Sequence, residues 1–275
     1  MFEYFKKSWA RKKARRITQE YPAEIVTFNL PLEGKIEFAN WKNPLVWDRV
    51  INEDIMDFYR KLIKKGSLVI DIGANIGDTT VPMALAAGSS GLTLAFEPNP
   101  YIFKILQANA GLNKDKTNIV PLPYAIADSD EEYYYISSEA SYSNGGISKE
   151  ISKKHGSFVY KEKVKGIMLG EYLKKNYSGL LSKLSFIKID TEGYDKEIIK
   201  TISNIIKAFK PTIVAECFGT LPNEDKIELY NILENMDYEI FYFYDFIKGA
   251  EVAKINGSKE MVKRKNTFNF YAIPK

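Results

Sequence analysis

The chain is predicted to fold as an α/β domain on a doubly wound, largely parallel sheet. Three observations predict it. Short apolar runs at Leu68–Ile70, Thr93–Phe96, Ile119–Leu122, Phe186–Ile189 and Thr212–Ala215 alternate with segments of helical periodicity. A glycine-rich turn, Asp71-Ile72-Gly73-Ala74-Asn75-Ile76-Gly77, follows the first run and opens a helix. The 275 residues are 45% apolar and 27% charged, which suffices for a large core and is too apolar for a disordered chain.

In chain order, residues 3–16 read as a basic helix with Phe5, Trp9 and Phe2 on one side. Ile25–Leu30 and Lys35–Phe38 read as strands about a Pro31–Gly34 turn. Asp48–Lys64 fits a helix, with Ile51, Ile55, Phe58, Tyr59 and Leu62 at spacings of three and four, ended by Gly66. A helix is predicted over Asp78–Ala87, and another starts at Asn99-Pro100, with Asn as cap and Pro in the first turn. Asp128–Glu132 is an acidic loop, Tyr133–Ile136 a strand, Ser137–Lys154 a polar irregular stretch, Val164–Met168 a strand and Leu169–Lys175 a helix. Asp195–Phe209 reads as one helix and Asp225–Asn235 as another. Two aromatic strands, Tyr238–Tyr244 and Thr267–Ile273, are set to pair as an antiparallel hairpin across a polar excursion. The organisation expected is an extension over 1–47 and one domain over 48–275.

Charge is unevenly spread. Residues 1–20 hold seven Lys/Arg and two Glu, a net +5 out of the chain's +4, which leaves −1 for the rest. The body has no footprint for nucleic acid. Two readings of the N-terminal segment stand side by side: a solvated helix whose aromatics pack on the domain or a second subunit, and a weak peripheral contact with anionic lipid. One cysteine, Cys217, excludes a disulfide framework, and no apolar run is long enough to span a membrane. A cytoplasmic location is expected, at the inner face of the membrane if the lipid reading holds.

Open α/β sheets bind ligands beyond the C-terminal ends of their strands. That rule gathers Asp71–Gly77, Glu97–Asn99, Pro123–Asp128, Asp190–Gly193 and Glu216–Gly219 at one edge. Gly73 and Gly77 let the backbone approach a ligand, and the spacing is not the Gly-x-Gly-x-x-Gly of dinucleotide binders, which disfavours an NAD enzyme. Asp71 can meet an ammonium group, and Glu97, ending the next strand, can accept both hydroxyls of a ribose. S-adenosylmethionine has both ends. Asp190, Glu192 and Glu216 can converge as a general base or as ligands for Mg²⁺. Each also has a plainer reading: Asp190 as a helix cap, Glu192 as a first-turn acid, Glu216 as a solvated loop residue. His155 suits a surface position better than a base, and Cys217 suits packing.

Asp71-Ile-Gly-Ala-Asn-Ile-Gly-Asp-Thr-Thr, Phe96-Glu-Pro-Asn-Pro and Ile187-Lys-Ile-Asp-Thr-Glu-Gly-Tyr-Asp together resemble the FkbM family of S-adenosylmethionine-dependent methyltransferases. The likeness extends from about Asp48 to the closing Asn269–Lys275 and includes Asn109, Asn113 and Tyr124–Asp128. It implies a class I methyltransferase fold, a Rossmann-like sheet of seven strands with the last one antiparallel. It implies that Gly73, Ala74, Asn75 and Gly77 line the methionine part of the cofactor. Glu97 would hold the ribose, Pro98, Asn99 and Ala127 would lie near the adenine, and Asp190 would face the methyl group and its acceptor. It also implies O-methylation, often of surface-polysaccharide sugars or of natural-product scaffolds. Two positions depart from the family: Asp195 stands where Glu is usual, and Phe218 where a His often follows the strand ending at Glu216. If that His assists catalysis in relatives, His155 or Asp190 must serve here.

The function expected is therefore methyl transfer to a hydroxyl of a sugar or similar polar metabolite. Substrate choice is assigned to 124–165, and a homo-oligomer is allowed for. The alternative is a non-catalytic nucleotide-binding module in a glycan-assembly complex.

Overall fold

The computed structural model describes residues 2–151, 157–191, 193–246 and 249–275. The chain enters through α1 (Phe2–Arg16) and a hairpin of β1 (Ala23–Leu30) and β2 (Gly34–Trp41). Alternating units follow: α2 (Glu53–Leu62), β3 (Leu68–Ile72), α3 (Thr80–Ala87), β4 (Leu92–Phe96), α4 (Pro100–Gly111) and β5 (Ile119–Leu122). Five short strands come next: β6 (Tyr124–Ile126), β7 (Glu132–Ser137), β8 (Gly146–Ser148), β9 (Phe158–Val159) and β10 (Val164–Ile167). Then follow α5 (Leu169–Tyr177), β11 (Leu184–Ile189), α6 (Asp195–Thr201), α7 (Ser203–Phe209), β12 (Thr212–Cys217) and α8 (Asn223–Glu234). The last elements are β13 (Tyr238–Phe243), β14 (Val252–Ile255), α9 (Ser258–Lys263) and β15 (Phe268–Pro274).

Among the described residues the main sheet has the order β14-β13-β15-β12-β11-β3-β4-β5. β5, β4, β3, β11 and β12 run parallel, and β15 is antiparallel to both β12 and β13. These are the seven strands and the reversed last strand that the sequence predicts, and the two aromatic strands do pair. β14 adds an eighth strand at the edge, inside the polar excursion. Alternate residues of the central strands face opposite layers. Leu68, Ile70, Ile72, Ile187, Ile189 and Ile213 pack with residues of α5 to α8, while Val69, Phe186 and Val214 pack with Tyr59, Ile63 and Met83.

Two predicted helices depart furthest from their expected spans; the ends of α3, α5 and α8 shift by two residues or fewer. α2 begins at Glu53, not Asp48, because Asn52 caps it by accepting from the Ile55 N–H. Asn40 meanwhile bonds both the N–H and the carbonyl of Arg49, which holds that stretch out of the helix. The predicted helix 195–209 breaks at Ile202, where the Thr201 hydroxyl bonds back to the Ile198 carbonyl.

The predicted polar stretch instead contributes β8, which joins a separate sheet with β6, β7, β9 and β10. Its core is aromatic, with Tyr133, Tyr135 and Tyr142 buried beside Tyr101 and Tyr160. The N-terminal hairpin is bound to the domain by two side-chain amides. Asn109 bonds both polar backbone groups of Ala39, and Asn113 bonds both of Glu37. Among the described side chains of α1, the aromatics Tyr4, Phe5 and Trp9 are all exposed and do not pack on the domain. Among the described residues, no helix is long and apolar enough to cross a membrane.

Candidate active site

Parallel register brings the first two site residues together. Asp71 on β3 pairs with Lys188 on β11, and both side chains point to the face that carries Val69 and Phe186. Asp71 is fully buried, and its Oδ1 lies 3.4 Å from Lys188 Nζ. Its Oδ2 accepts from the hydroxyls of Thr80 at 2.6 Å and Thr79 at 3.3 Å. The ammonium that Asp71 meets is thus supplied by the chain itself. Lys188 Nζ also lies 3.3 Å from Asp190 Oδ2 and donates to the Gly73 carbonyl at 3.3 Å. Burial works against its charge, but the carboxylates of Asp71 and Asp190 more than offset it and raise its pKa above the usual lysine value.

The glycine turn is held against the neighbouring strand ends. The N–H groups of Gly73 and Ala74 both donate to the Phe96 carbonyl, and the Asp190 N–H donates to Ile72. Gly73 has φ 74°, and a Cβ there would fall 1.9 Å from the Asp190 carbonyl oxygen. Gly77 is buried, and a Cβ on it would meet Leu106 at 3.1 Å. Gly73 and Asn75 keep partly open surface, whereas Ala74 and Gly77 are packed inside.

Glu97 ends β4 under the turn. Its Oε2 accepts from the Asn75 N–H at 2.9 Å and its Oε1 from the Asn99 N–H at 2.8 Å. The residue is only 7% exposed, and burial pushes its carboxyl up to about 7 in spite of both N–H donors. Each oxygen keeps acceptor capacity beyond the backbone bond it already receives. That donor-poor, acceptor-rich arrangement fits a vicinal diol.

Asn99 is buried. Its Oδ1 accepts from the N–H groups of Tyr101 and Ile102, and its Nδ2 donates to the Tyr135 hydroxyl and the Tyr142 carbonyl. Asn99 therefore caps α4 and fastens the aromatic side sheet to the strand-end edge. Pro98 is partly open beside it, and Ala127 is buried, donating its N–H to Ile167.

On the acceptor side, the Asp190 side chain is 51% exposed at the end of β11. Glu216, half-buried at the end of β12, gives its N–H to Asp195. Asp195 takes three bonds: Thr191 N–H at 3.2 Å, Thr191 Oγ1 at 2.8 Å and Glu216 N–H at 3.2 Å. Burial raises its carboxyl to about 6. It is the tie between the loops that follow β11 and β12. The Phe218 ring lies against Gly193, where a Cβ would meet it at 3.5 Å. Cys217 is fully buried, and burial raises its thiol to about 11, in keeping with a packing role.

His155 and Glu192 lie outside the described residues. Among the described residues no three His, Cys, Asp or Glu side chains are grouped to hold a metal ion. Asp190 and Glu216, the described members of the predicted Mg²⁺ set, therefore form no such group without Glu192. Two contributors escaped sequence reasoning. Lys188 left a signal, a lone charge inside an apolar strand run. Asp195 stands out in the sequence only as a departure from a family pattern.

Residues 71–240, more than half of the chain, match the methyltransferase FkbM domain. The chain belongs to that family. The FkbM match begins at the buried Asp71 and ends in β13, so it takes in all the described strand ends of the site. The hexuronic acid methyltransferase AglP of Haloferax volcanii is 25% identical over 177 residues, which cover 62% of this chain and 65% of that protein. Among solved structures, precorrin-6y C5,15-methyltransferase from Geobacter metallireducens aligns with a TM-score of 0.44 at 13% identity, over 86% of this FkbM chain and 94% of that one. An S-adenosylmethionine-dependent O-methyltransferase from Thermotoga maritima aligns with a TM-score of 0.39 at 13% identity, over 92% and 78% of the two chains.

Proposed function

We propose that this FkbM-family chain transfers a methyl group from S-adenosylmethionine to a hydroxyl of a sugar-like acceptor. The observation that carries the reading is Glu97: a nearly buried carboxylate whose oxygens are met by two backbone N–H groups, beside an open Asp190 carboxylate on the next strand but one. Gly73 and Asn75 supply the partly open turn for the methionine end, and Glu97 takes the ribose hydroxyls. When bound, S-adenosylmethionine supplies a sulfonium-activated methyl group.

Asp190 is the assigned base. Its carboxylate receives the proton of the acceptor hydroxyl as the new O–CH₃ bond forms and the S–CH₃ bond breaks. Lys188 holds that carboxylate from below, so Asp190 keeps one fixed oxygen and presents the other. Glu216 borders the same edge on the next strand. The aromatic side sheet over 124–167, fastened through Asn99, forms the wall assigned to acceptor choice. A sugar-acid acceptor is favoured by the likeness to a hexuronic acid methyltransferase.

The test is transfer of labelled methyl from S-adenosylmethionine to a panel of uronic acids and neutral sugars, free and glycosidically linked. Turnover on a sugar hydroxyl is expected. In Asp190→Asn, kcat is expected to fall by roughly 10²–10⁴ with cofactor affinity nearly unchanged. Cofactor binding without turnover on any acceptor, or near-normal turnover in Asp190→Asn, would overturn the acceptor or base assignment respectively.

A further inference from the structure

The face of α1 turned away from the domain carries chemistry that methyl transfer does not use. α1 lies on the domain through the fully buried Ala14, through Arg11, whose Nε donates to the Pro44 carbonyl at 3.2 Å, and through the Arg15 carbonyl, which accepts from Ala140. At 100° per residue, Phe5, Trp9, Lys12 and Arg16, spaced four, three and four, fall on the opposite side. Phe5 is 62% and Trp9 67% exposed. Lys13 Nζ sits 5.7 Å from the centre of the Trp9 ring. Trp47, also exposed, lies on the domain side of the helix beside Arg11, whose guanidinium is 5.0 Å from its ring centre.

We infer that this face docks onto an anionic lipid bilayer. The charge is complementary and local, since residues 1–20 carry +5 and the remainder −1. Exposed aromatics interleaved with Lys and Arg suit the headgroup level, where indole and phenyl rings bury their apolar bodies and long cationic side chains reach the phosphates. Lipid is favoured over single-stranded nucleic acid because the near-neutral body offers no basic track beyond this one helix. The docking face also bears on the site. The last turn of α1 touches the 139–142 loop, with Arg15 Nε 3.5 Å from Glu139, and that loop holds Asn99 through the Tyr142 carbonyl. α1 therefore links the docking face to the loop that fastens the aromatic side sheet. The inference stands on α1 alone and is independent of the acceptor assignment.

The experiment is co-sedimentation of the full chain with vesicles of phosphatidylcholine, with and without phosphatidylglycerol. Binding to the anionic vesicles only is expected, with loss on raising salt from about 0.1 to 1 M, where the screening length falls from ~10 to ~3 Å. Lys12→Gln/Lys13→Gln/Arg16→Gln removes three charges and is expected to weaken anionic-vesicle binding about 100-fold at low salt. Phe5→Ser/Trp9→Ser should weaken it as well. Both variants should keep the parent's melting temperature, because Phe5, Trp9, Lys12 and Arg16 lie on the exposed outer face and the half-buried Lys13 contacts the exposed Trp9 ring. No binding, equal binding to neutral vesicles, or binding unaffected by either variant would overturn the inference. So would tighter binding to single-stranded RNA than to vesicles, or a dimer that Phe5→Ser/Trp9→Ser dissociates in place of vesicle binding.

Discussion

Replacing Lys188 with methionine removes a cation buried between two carboxylates and keeps an apolar stem of similar length. The cost follows from what Asp71 has left. Its Oδ2 retains the Thr80 and Thr79 hydroxyls, but Oδ1 is buried with no hydrogen-bond donor, and its charge partner is the ammonium at 3.4 Å. Breaking a buried ion pair from one side typically costs about 3–5 kcal/mol, because the remaining charge stays out of water. Asp190 adds little to that figure, since its side chain is 51% exposed and water can replace the lysine. Lys188→Met should therefore lower unfolding stability by about 3–5 kcal/mol. The assay is urea denaturation at neutral pH on four proteins: parent, Lys188→Met, Asp71→Asn and the double variant. The double variant should recover part of the loss, because removing both charges removes the uncompensated one. A loss under about 1 kcal/mol in Lys188→Met, or no recovery in the double variant, would refute the reasoning.

Glu97 makes the cofactor affinity pH-dependent. Because burial holds its carboxyl at about 7, acid protonates it and replaces a ribose acceptor with a donor, so calorimetric affinity for S-adenosylmethionine should fall as pH drops below about 7. Glu97→Gln should flatten that profile, and Glu97→Ala should cost about 1.5–3 kcal/mol of cofactor binding. Linkage gives the opposite sign for folding. The folded state binds the proton more tightly than the unfolded chain, so the ligand-free protein loses stability as pH rises from about 4.5 to about 7, and Glu97→Gln should lack that loss in pH-dependent denaturation. Gly73→Ala should abolish cofactor binding or folding, because its Cβ would meet the Asp190 backbone at 1.9 Å with φ at 74°; a soluble variant with parental affinity in calorimetry would contradict this.

The central strands and the glycine turn were legible because β3, β4, β11 and β12 are apolar runs buried on both faces, and such runs announce themselves without tertiary information. Asn99-Pro100 was legible for a local reason, cap chemistry, and it caps α4 as predicted. What escaped depends on register. Nothing in the sequence says that Lys188 stands beside Asp71, since that follows from how β11 slides along β3. The same holds for Asp195, whose partners come from two different strand ends. Of the side sheet, β7 and β10 were legible as Tyr133–Ile136 and Val164–Met168, while β6, β8 and β9, of only two or three residues each, carry too short a period to read. The break at Ile202 escaped because the isoleucine periodicity runs straight through it.

The two amides that grip β2 have a consequence for how the protein behaves in a crowd. A two-stranded hairpin normally leaves a rim of unsatisfied peptide groups on which a foreign strand can polymerise. Here Asn109 and Asn113 answer both the donor and the acceptor of Ala39 and Glu37, two alternate rungs of that rim. Asn113 manages this from a left-handed backbone, φ 53°, a conformation asparagine tolerates better than most residues. A helix end thus impersonates a neighbouring strand. The rungs it occupies are closed to templating without a third strand in the hairpin itself.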